Sequence, residues 1–291
     1  MFVQSARSDW QQAEMIPHTE LAKAEDMLRA YQHSLQTPAQ ERGPPEPLIN
    51  RFYHARLAEN HRWEEFYGTQ GVEIHGHVLS IMSFLSTPIE VNGVPFPSLG
   101  KISRDATKTL HPAAVSSCPV IFGLGDTHGA NIMISDRQEP DNRRQILYVD
   151  YEVAGYHSIM LDLAKPLHND VFFETLYADS IQDLPRIEYT LEHATFKIKI
   201  SASADHLGQA ILNIKKRYLI KPLFQHAQRV GHNLEKHVPQ LASGLFSCAC
   251  LTRNFDGKWD SLFRNVAVGV MLSQVKDLDG LWACCSSLGL Y

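Results

Sequence analysis

Between Thr19 and Leu35 the apolar residues Leu21, Ala24, Met27, Leu28 and Tyr31 recur at three- and four-residue spacing, which predicts a helix with one buried face. Thr37-Pro38 and Gly43-Pro44-Pro45-Glu46-Pro47 stop that helix and predict a loop. From Leu48 to Tyr67 the residues Phe52, Tyr53, Leu57, Trp63, Phe66 and Tyr67 are interleaved with Arg and Glu, the pattern of a second amphipathic helix at the edge of a core. Gly71 to Leu85 alternates weakly and fits a strand or a short helix. Gly93-Val94-Pro95-Phe96-Pro97 predicts a turn, and Ser98 to Leu110 a helix with Leu99, Ile102 and Leu110 inward.

The period then shortens. Pro119-Val120-Ile121-Phe122 runs into a Gly-rich turn, and Asn131 to Ile134 and Gln145 to Val149 are β-rich runs joined by the polar loop Ser135 to Arg144, as in a hairpin. Phe172 to Tyr177 is a further strand candidate. So is Ile187 to Ile200, alternating over Ile187, Tyr189, Leu191, Phe196, Ile198 and Ile200. After Ser203 helical spacing returns, over Asp205 to His237, Pro239 to Asn254, Lys258 to Lys276 and Leu278 to Cys285. Strands in the middle and helices on both sides predict an α+β fold.

Composition narrows the picture modestly. The chain has 291 residues, 44% hydrophobic and 20% charged, which excludes a disordered or collagen-like polymer and allows one large domain or two lobes. A net charge of −5 argues against a nucleic-acid partner. Lys215-Lys216-Arg217 then reads as a solvated helix face. The five cysteines, an odd number, are unevenly placed; Cys248, Cys250, Cys284 and Cys285 lack zinc spacing, and the set predicts buried thiols in a reducing compartment. With no leader-like start and no run near the ~18 apolar residues of a membrane span, the expectation is a cytoplasmic protein without a membrane partner.

Candidate chemistry concentrates between Phe122 and Asp170. A strand leads into Gly123-Leu124-Gly125-Asp126-Thr127-His128-Gly129-Ala130-Asn131, a hairpin ends in Val149-Asp150-Tyr151-Glu152, and Leu161-Asp162-Leu163-Ala164 follows. An acid in a tight loop, an amide five residues on and a second acid at a strand end suit metal-assisted phosphoryl transfer. Mg²⁺ takes one or two carboxylates together with phosphate oxygens and water. The remaining Asp can accept the proton of an attacking hydroxyl.

This segment resembles the catalytic half of the aminoglycoside phosphotransferase and choline kinase type of kinase-like enzyme, whose motif is His-Gly-Asp-x-x-x-x-Asn, then a strand-borne Asp, then Asp-Leu-Ala. On that resemblance Asp126 is the catalytic base, Asn131 and Asp150 hold the metal, and Asp162 is mainly structural. Leu124 stands where the family has His, and the insert Asp136 to Arg144 lengthens the hairpin. The stretch from about Phe52 to Asp179 is similar to fungal and bacterial phosphotransferase-like proteins, several from secondary-metabolite gene clusters.

The resemblance implies a protein kinase-like fold, mainly the helical C-terminal lobe with catalytic β-hairpins. Residues 1–45 would form an N-terminal helical extension and linker, and residues 46–291 the lobe, with its catalytic core at 119–180 and a helical acceptor-side region at 203–286. The nucleotide-binding N-terminal lobe is expected to be reduced or absent. No Gly-x-Gly-x-x-Gly occurs upstream, and Lys23, Lys101 and Lys108 fall in predicted helices or loops. The implied function is transfer of phosphate from ATP, with Mg²⁺, to a hydroxyl of a small molecule, in secondary metabolism, with a partner chain able to supply or replace the missing lobe. The alternative is a pseudokinase-like binding or accessory protein. Strands formed by residues 60–95 would favour the enzyme.

Other readings are weaker. Gly125-Asp126-Thr127-His128-Gly129 also fits the first metal motif of calcineurin-like phosphoesterases, but the later motifs of that chemistry are missing. His75 and His77 are expected to be an exposed pair, His128 an orienting hydrogen-bond partner, and Glu152 a solvated side chain.

Overall fold

The computed structural model describes residues 10–36, 48–138, 144–172, 185–202 and 206–290. Helix α1 (Trp10–Ser34) buries Ala24, Met27 and Tyr31 in the same core as the helices of the second half, and Gln36 pairs through its backbone with Val120. Leu48 to Tyr67 is not one helix but a 3₁₀ turn (Leu48–Phe52), α2 (His54–Leu57), a second turn and α3 (His61–Tyr67). Left-handed backbone at Glu59 and Asn60, φ 54° and 58°, interrupts the hydrogen-bond ladder there. Tyr53, Leu57, Trp63 and Tyr67 are buried nonetheless, so the apolar pattern holds where the helix does not.

The ambiguous stretch that follows contains both expected elements: hairpin β1 (Val72–Ile74) and β2 (His77–Leu79), then α4 (Ile81–Ser86), capped by the Ser80 hydroxyl. Residues 93–97 are mostly strand rather than turn. β3 (Ile89–Val91) and β4 (Val94–Phe96) form a hairpin about Asn92-Gly93, both left-handed, and Pro95 is tolerated because β4 is an edge strand. Helices α5 (Leu99–Thr109) and α6 (Pro112–Val115) lead to β5 (Val120–Gly123), then the hairpin β6 (Ile132–Gln138) and β7 (Arg144–Tyr148), then β8 (Gly155–Ser158) and α7 (Ile159–Leu167).

Ile187 to Ile200 folds as two strands, β9 (Ile187–Glu192) and β10 (Thr195–Ile200), turned at His193-Ala194 with φ 49° and 58°. The alternation on the two sides of that turn belongs to opposed strands of one face. The four-stranded sheet runs β4-β3-β10-β9, with β3 parallel to β10 and the other pairs antiparallel. Phe172 closes a π turn, and residues 173–177 of the expected strand lie outside the described residues.

The C-terminal part is helical: α8 (His206–Ile214), a π turn, α9 (Lys221–Arg229), α10 (Val238–Leu251), α11 (Trp259–Leu272) and α12 (Leu278–Ser287). α10 is buried along nearly its whole length and packs between α7 and α11, with the four-stranded sheet against α11. The fold is thus α+β, with small sheets on a helical core. Four of the five cysteines, Cys118, Cys248, Cys250 and Cys285, are buried, and all five are free thiols. Burial pushes the Cys118 thiol up to about 11. Among the described residues no helix is long and apolar enough to cross a membrane.

Candidate active site

Strands β5 and β8 pair antiparallel, Gly123 opposite Gly155, and carry the chain into and out of the loop and hairpin of interest. The loop is held from beneath by one continuous helical segment, α7 and the π turn that follows it (His168–Phe172). Asp162, fully buried, accepts hydrogen bonds from Gly125 N–H at 2.7 Å, from His157 Nε2 at 2.6 Å and from the Tyr31 hydroxyl. Burial opposes its charge, but the His157 ring, the Tyr31 hydroxyl and the Gly125 amide hold its carboxyl below the ordinary value. This anchoring agrees with the structural part that the resemblance gave Asp162.

Asp170 does the same eight residues on. Its Oδ1 accepts from Gly129 N–H at 2.8 Å, and Oδ2 accepts from Lys215 Nζ at 2.8 Å and from Lys23 Nζ. Glu20 completes the cluster by pairing with Lys215 and standing 3.7 Å from Lys23. Burial works against the Asp170 charge, yet the two ammonium groups pull its carboxyl far below the usual range. Asp170 and Glu20 in turn raise Lys215 against its own burial. Lys215 is therefore a fully buried ion-pair partner, not part of a solvated face. Asp170 and Lys215 both lie in π turns, each near a proline (Pro166, Pro222) that lacks the N–H needed to continue an α-helical ladder.

Between these anchors lies Asp126. Lys165 Nζ is 3.2 Å and His128 Nε2 3.5 Å from Asp126 Oδ1, yet this buried oxygen has no hydrogen-bond partner among the described residues. That oxygen is closed to solvent and faces the Lys165 charge, while the Asp126 side chain as a whole stays partly exposed. The Asp126 carbonyl accepts from His128 N–H at 2.9 Å and from Asn131 Nδ2 at 3.0 Å. His128 Nδ1 accepts from Ala130 N–H at 3.2 Å, so it orients the loop as expected, and burial lowers its pKa. Gly125, at φ +75°, brings the loop so close to Val153 that an added Cβ would lie 2.8 Å from Val153 Cγ2.

The β6/β7 register places Ile132 opposite Tyr148, and Val149 N–H donates to Asn131 C=O at 3.0 Å. Asp150 follows directly, exposed and left-handed at φ 65°. Asp126, Asn131 and Asp150 are therefore joined by two hydrogen bonds through a short loop and a hairpin end. Met133, Leu147 and Val149, which alternate onto the strand face of Asn131, are exposed.

The remaining expectations separate. Glu152 is exposed. His75 sits in the β1/β2 turn at φ 47°, its Nε2 2.6 Å from Tyr189 C=O and its ring stacked on Tyr189. Among the described residues no three His, Cys, Asp or Glu side chains are grouped to hold a metal ion. Lys23 lies in α1, committed to Asp170, and Lys101 and Lys108 lie in α5. The sequence reading missed Lys165, Asp170 and Tyr31. A charge isolated in an apolar helical run, as Lys165 is between Ala164 and Leu167, is a usable signal, because such a charge must find a partner inside.

His168, in the π turn under the loop, is fully buried, and desolvation lowers its pKa to about 4; burial and Lys236 bring His237 to about 4 as well. Both folded values lie below the unfolded value of about 6.5, so the unfolded chain binds more protons between pH 6.5 and 4. Stability is full above that window and falls with pH through it, by up to about 1.4 kcal/mol per pH unit for buried His168. Urea unfolding from pH 7 to 4 should show this loss, and His168→Gln should flatten the slope. An unchanged slope in the variant would refute the assignment.

No protein-family model, no curated protein and no solved structure matches the chain.

Proposed function

We propose that the chain is a phosphotransferase of kinase-like fold that moves the γ-phosphoryl group of ATP to a hydroxyl of a small molecule. The reading is carried by Asp126, a partly exposed carboxylate held by Lys165 in a loop whose carbonyl is bonded to the Asn131 amide, one strand pairing away from Asp150. Asp126 accepts the proton of the acceptor hydroxyl as its oxygen bonds to the γ-phosphorus and the bond to the ADP oxygen breaks. Lys165 holds the carboxylate in place.

The donor set suits Mg²⁺ delivered with a nucleotide better than a bare ion. Asp150 offers an exposed carboxylate and Asn131 keeps its Oδ1 while Nδ2 is engaged, and two oxygen ligands are what Mg²⁺ takes when phosphates supply the rest. Bound there, the ion would draw charge from the phosphates. The exposed face of Met133, Leu147 and Val149 beside Asn131 gives a flat base an apolar surface. The left-handed Asp150 is a conformation often kept at functional sites. Work in secondary metabolism, in the cytoplasm and with a lobe-supplying partner belongs to the same proposal.

A second reading, a binding or accessory protein that transfers nothing, is favoured by one observation. Strands do form between residues 72 and 96, but among the described residues no lysine before the loop lies on a strand. Calorimetric titration of Mg·ATP separates the two. Micromolar binding, weakened at least about 10-fold by Asp150→Asn and kept by Asp126→Asn, is expected for the enzyme. Turnover in Asp126→Asn should then fall by roughly 10²- to 10⁴-fold. Absence of binding at millimolar nucleotide, or intact turnover in Asp126→Asn, would sink the phosphotransfer reading.

A further inference from the structure

Arg56, in α2, is 9% exposed, and its Nε and Nη1 are buried with no hydrogen-bond partner among the described residues. Its guanidinium carbon lies 5.1 Å from the centroid of the Phe52 ring. Lys165 Nζ lies 4.9 Å from the centroid of that same ring and 3.2 Å from Asp126 Oδ1. Phe52 is itself only half-buried, so the side chain that both cations flank is not sealed in the core. Desolvation lowers the Arg56 pKa, and the nearby Arg62 adds to this. Asp126 is the carboxylate whose field opposes the shift, while Tyr53 and Cys248 stay neutral because burial raises both.

Lys165 is paired with Asp126, whereas the buried Arg56 guanidinium has no hydrogen-bonded counter-ion among the described residues. A buried guanidinium whose donors lack acceptors costs the empty protein stability, and an anion that accepts from it removes part of the penalty. We infer that Arg56 and Lys165 form a subsite for an acidic group, a carboxylate or a phosphate, on the molecule whose hydroxyl meets Asp126. The acceptor is then an anionic small molecule. Lys165 bridges its acidic group and the Asp126 carboxylate, and Phe52 packs against its carbon frame. The word acceptor rests on the phosphotransfer reading, whereas the anion subsite does not.

The test uses the full chain in Mg²⁺-free chloride buffer, titrated with inorganic phosphate and separately with acetate, for the wild type, Arg56→Met, Lys165→Met and Asp150→Asn. One anion should bind with millimolar or tighter Kd, at least 10-fold more weakly in Arg56→Met and in Lys165→Met, and unchanged in Asp150→Asn. Which anion binds tells carboxylate from phosphate. Because the charge is unpaired when the site is empty, Arg56→Met should also raise Tm, by roughly 2–4 °C. The inference is overturned if neither anion binds at tens of millimolar, if binding ignores both cation variants or depends on Asp150, or if Arg56→Met lowers Tm. Mg·ATP titrated into Arg56→Met should bind as in the wild type. If Mg·ATP binds neither protein while the anion results hold, the phosphotransfer reading fails and the subsite stands.

Discussion

Asp170→Ala should cost about 3–5 kcal/mol of folding stability, a large part of the roughly 5–15 kcal/mol that a typical domain has. The cluster of Lys23, Lys215, Asp170 and Glu20 balances two cations with two anions in the interior. Taking away Asp170 leaves two ammonium groups against one carboxylate, and it is the unpaired charge rather than the lost attraction that dominates. The double variant Asp170→Asn/Lys215→Met, which restores the balance, should therefore be more stable than either single variant. Urea unfolding of the four proteins measures this, and simple additivity would refute it. Since Asp170 also holds Gly129 N–H, hydrogen exchange at that amide should quicken in Asp170→Ala even under conditions where the protein remains folded.

Asp162→Ala should be of similar size, for a different reason. The Tyr31 hydroxyl, the His157 ring and the Gly125 amide would be left buried without their acceptor, at about 1–3 kcal/mol each before relaxation. Asp162→Asn keeps one acceptor oxygen and should fall between alanine and wild type. Gly123 couples to the same carboxylate, because a Cβ there would overlap the Asp162 oxygens. Gly123→Ala should accordingly destabilise by about 1–3 kcal/mol. Combined with Asp162→Ala, which removes the obstructing oxygens, it should add much less. Equal costs of Gly123→Ala in the two backgrounds would disprove the close approach.

The pattern of apolar residues was a good guide where burial alone selects the conformation. The helix near Ser98 to Leu110, the β6/β7 hairpin and the three C-terminal helices stand within a few residues of their expected limits, while the helix expected from Thr19 ends as expected but begins at Trp10. It failed where backbone geometry intervenes. Leu48 to Tyr67 kept its buried face but broke at Glu59 and Asn60. Ile187 to Ile200 kept its alternation but reversed at His193-Ala194, because a two-residue turn leaves both arms on one sheet face. Pro95 suggested a turn because its neighbours in sequence do not reveal that β4 is an edge.

For the candidate site, local spacing sufficed to bring out Asp126, Asn131 and Asp150, since a loop and a hairpin place them close along the chain. The supports were hidden. Tyr31 meets Asp162 across 131 positions, Lys23 meets Asp170 across 147, and Lys215 meets Glu20 across 195. A lysine that reads as solvated from its neighbours can be paired in the interior, and an arginine can be buried there with no hydrogen-bond partner for its Nε and Nη1 among the described residues, as Lys215 and Arg56 show. Local periodicity encodes which face of a helix is buried. It does not encode which distant charge waits on the other side, because that depends on how α1, α7 and the turn after α8 are brought together by the core they share.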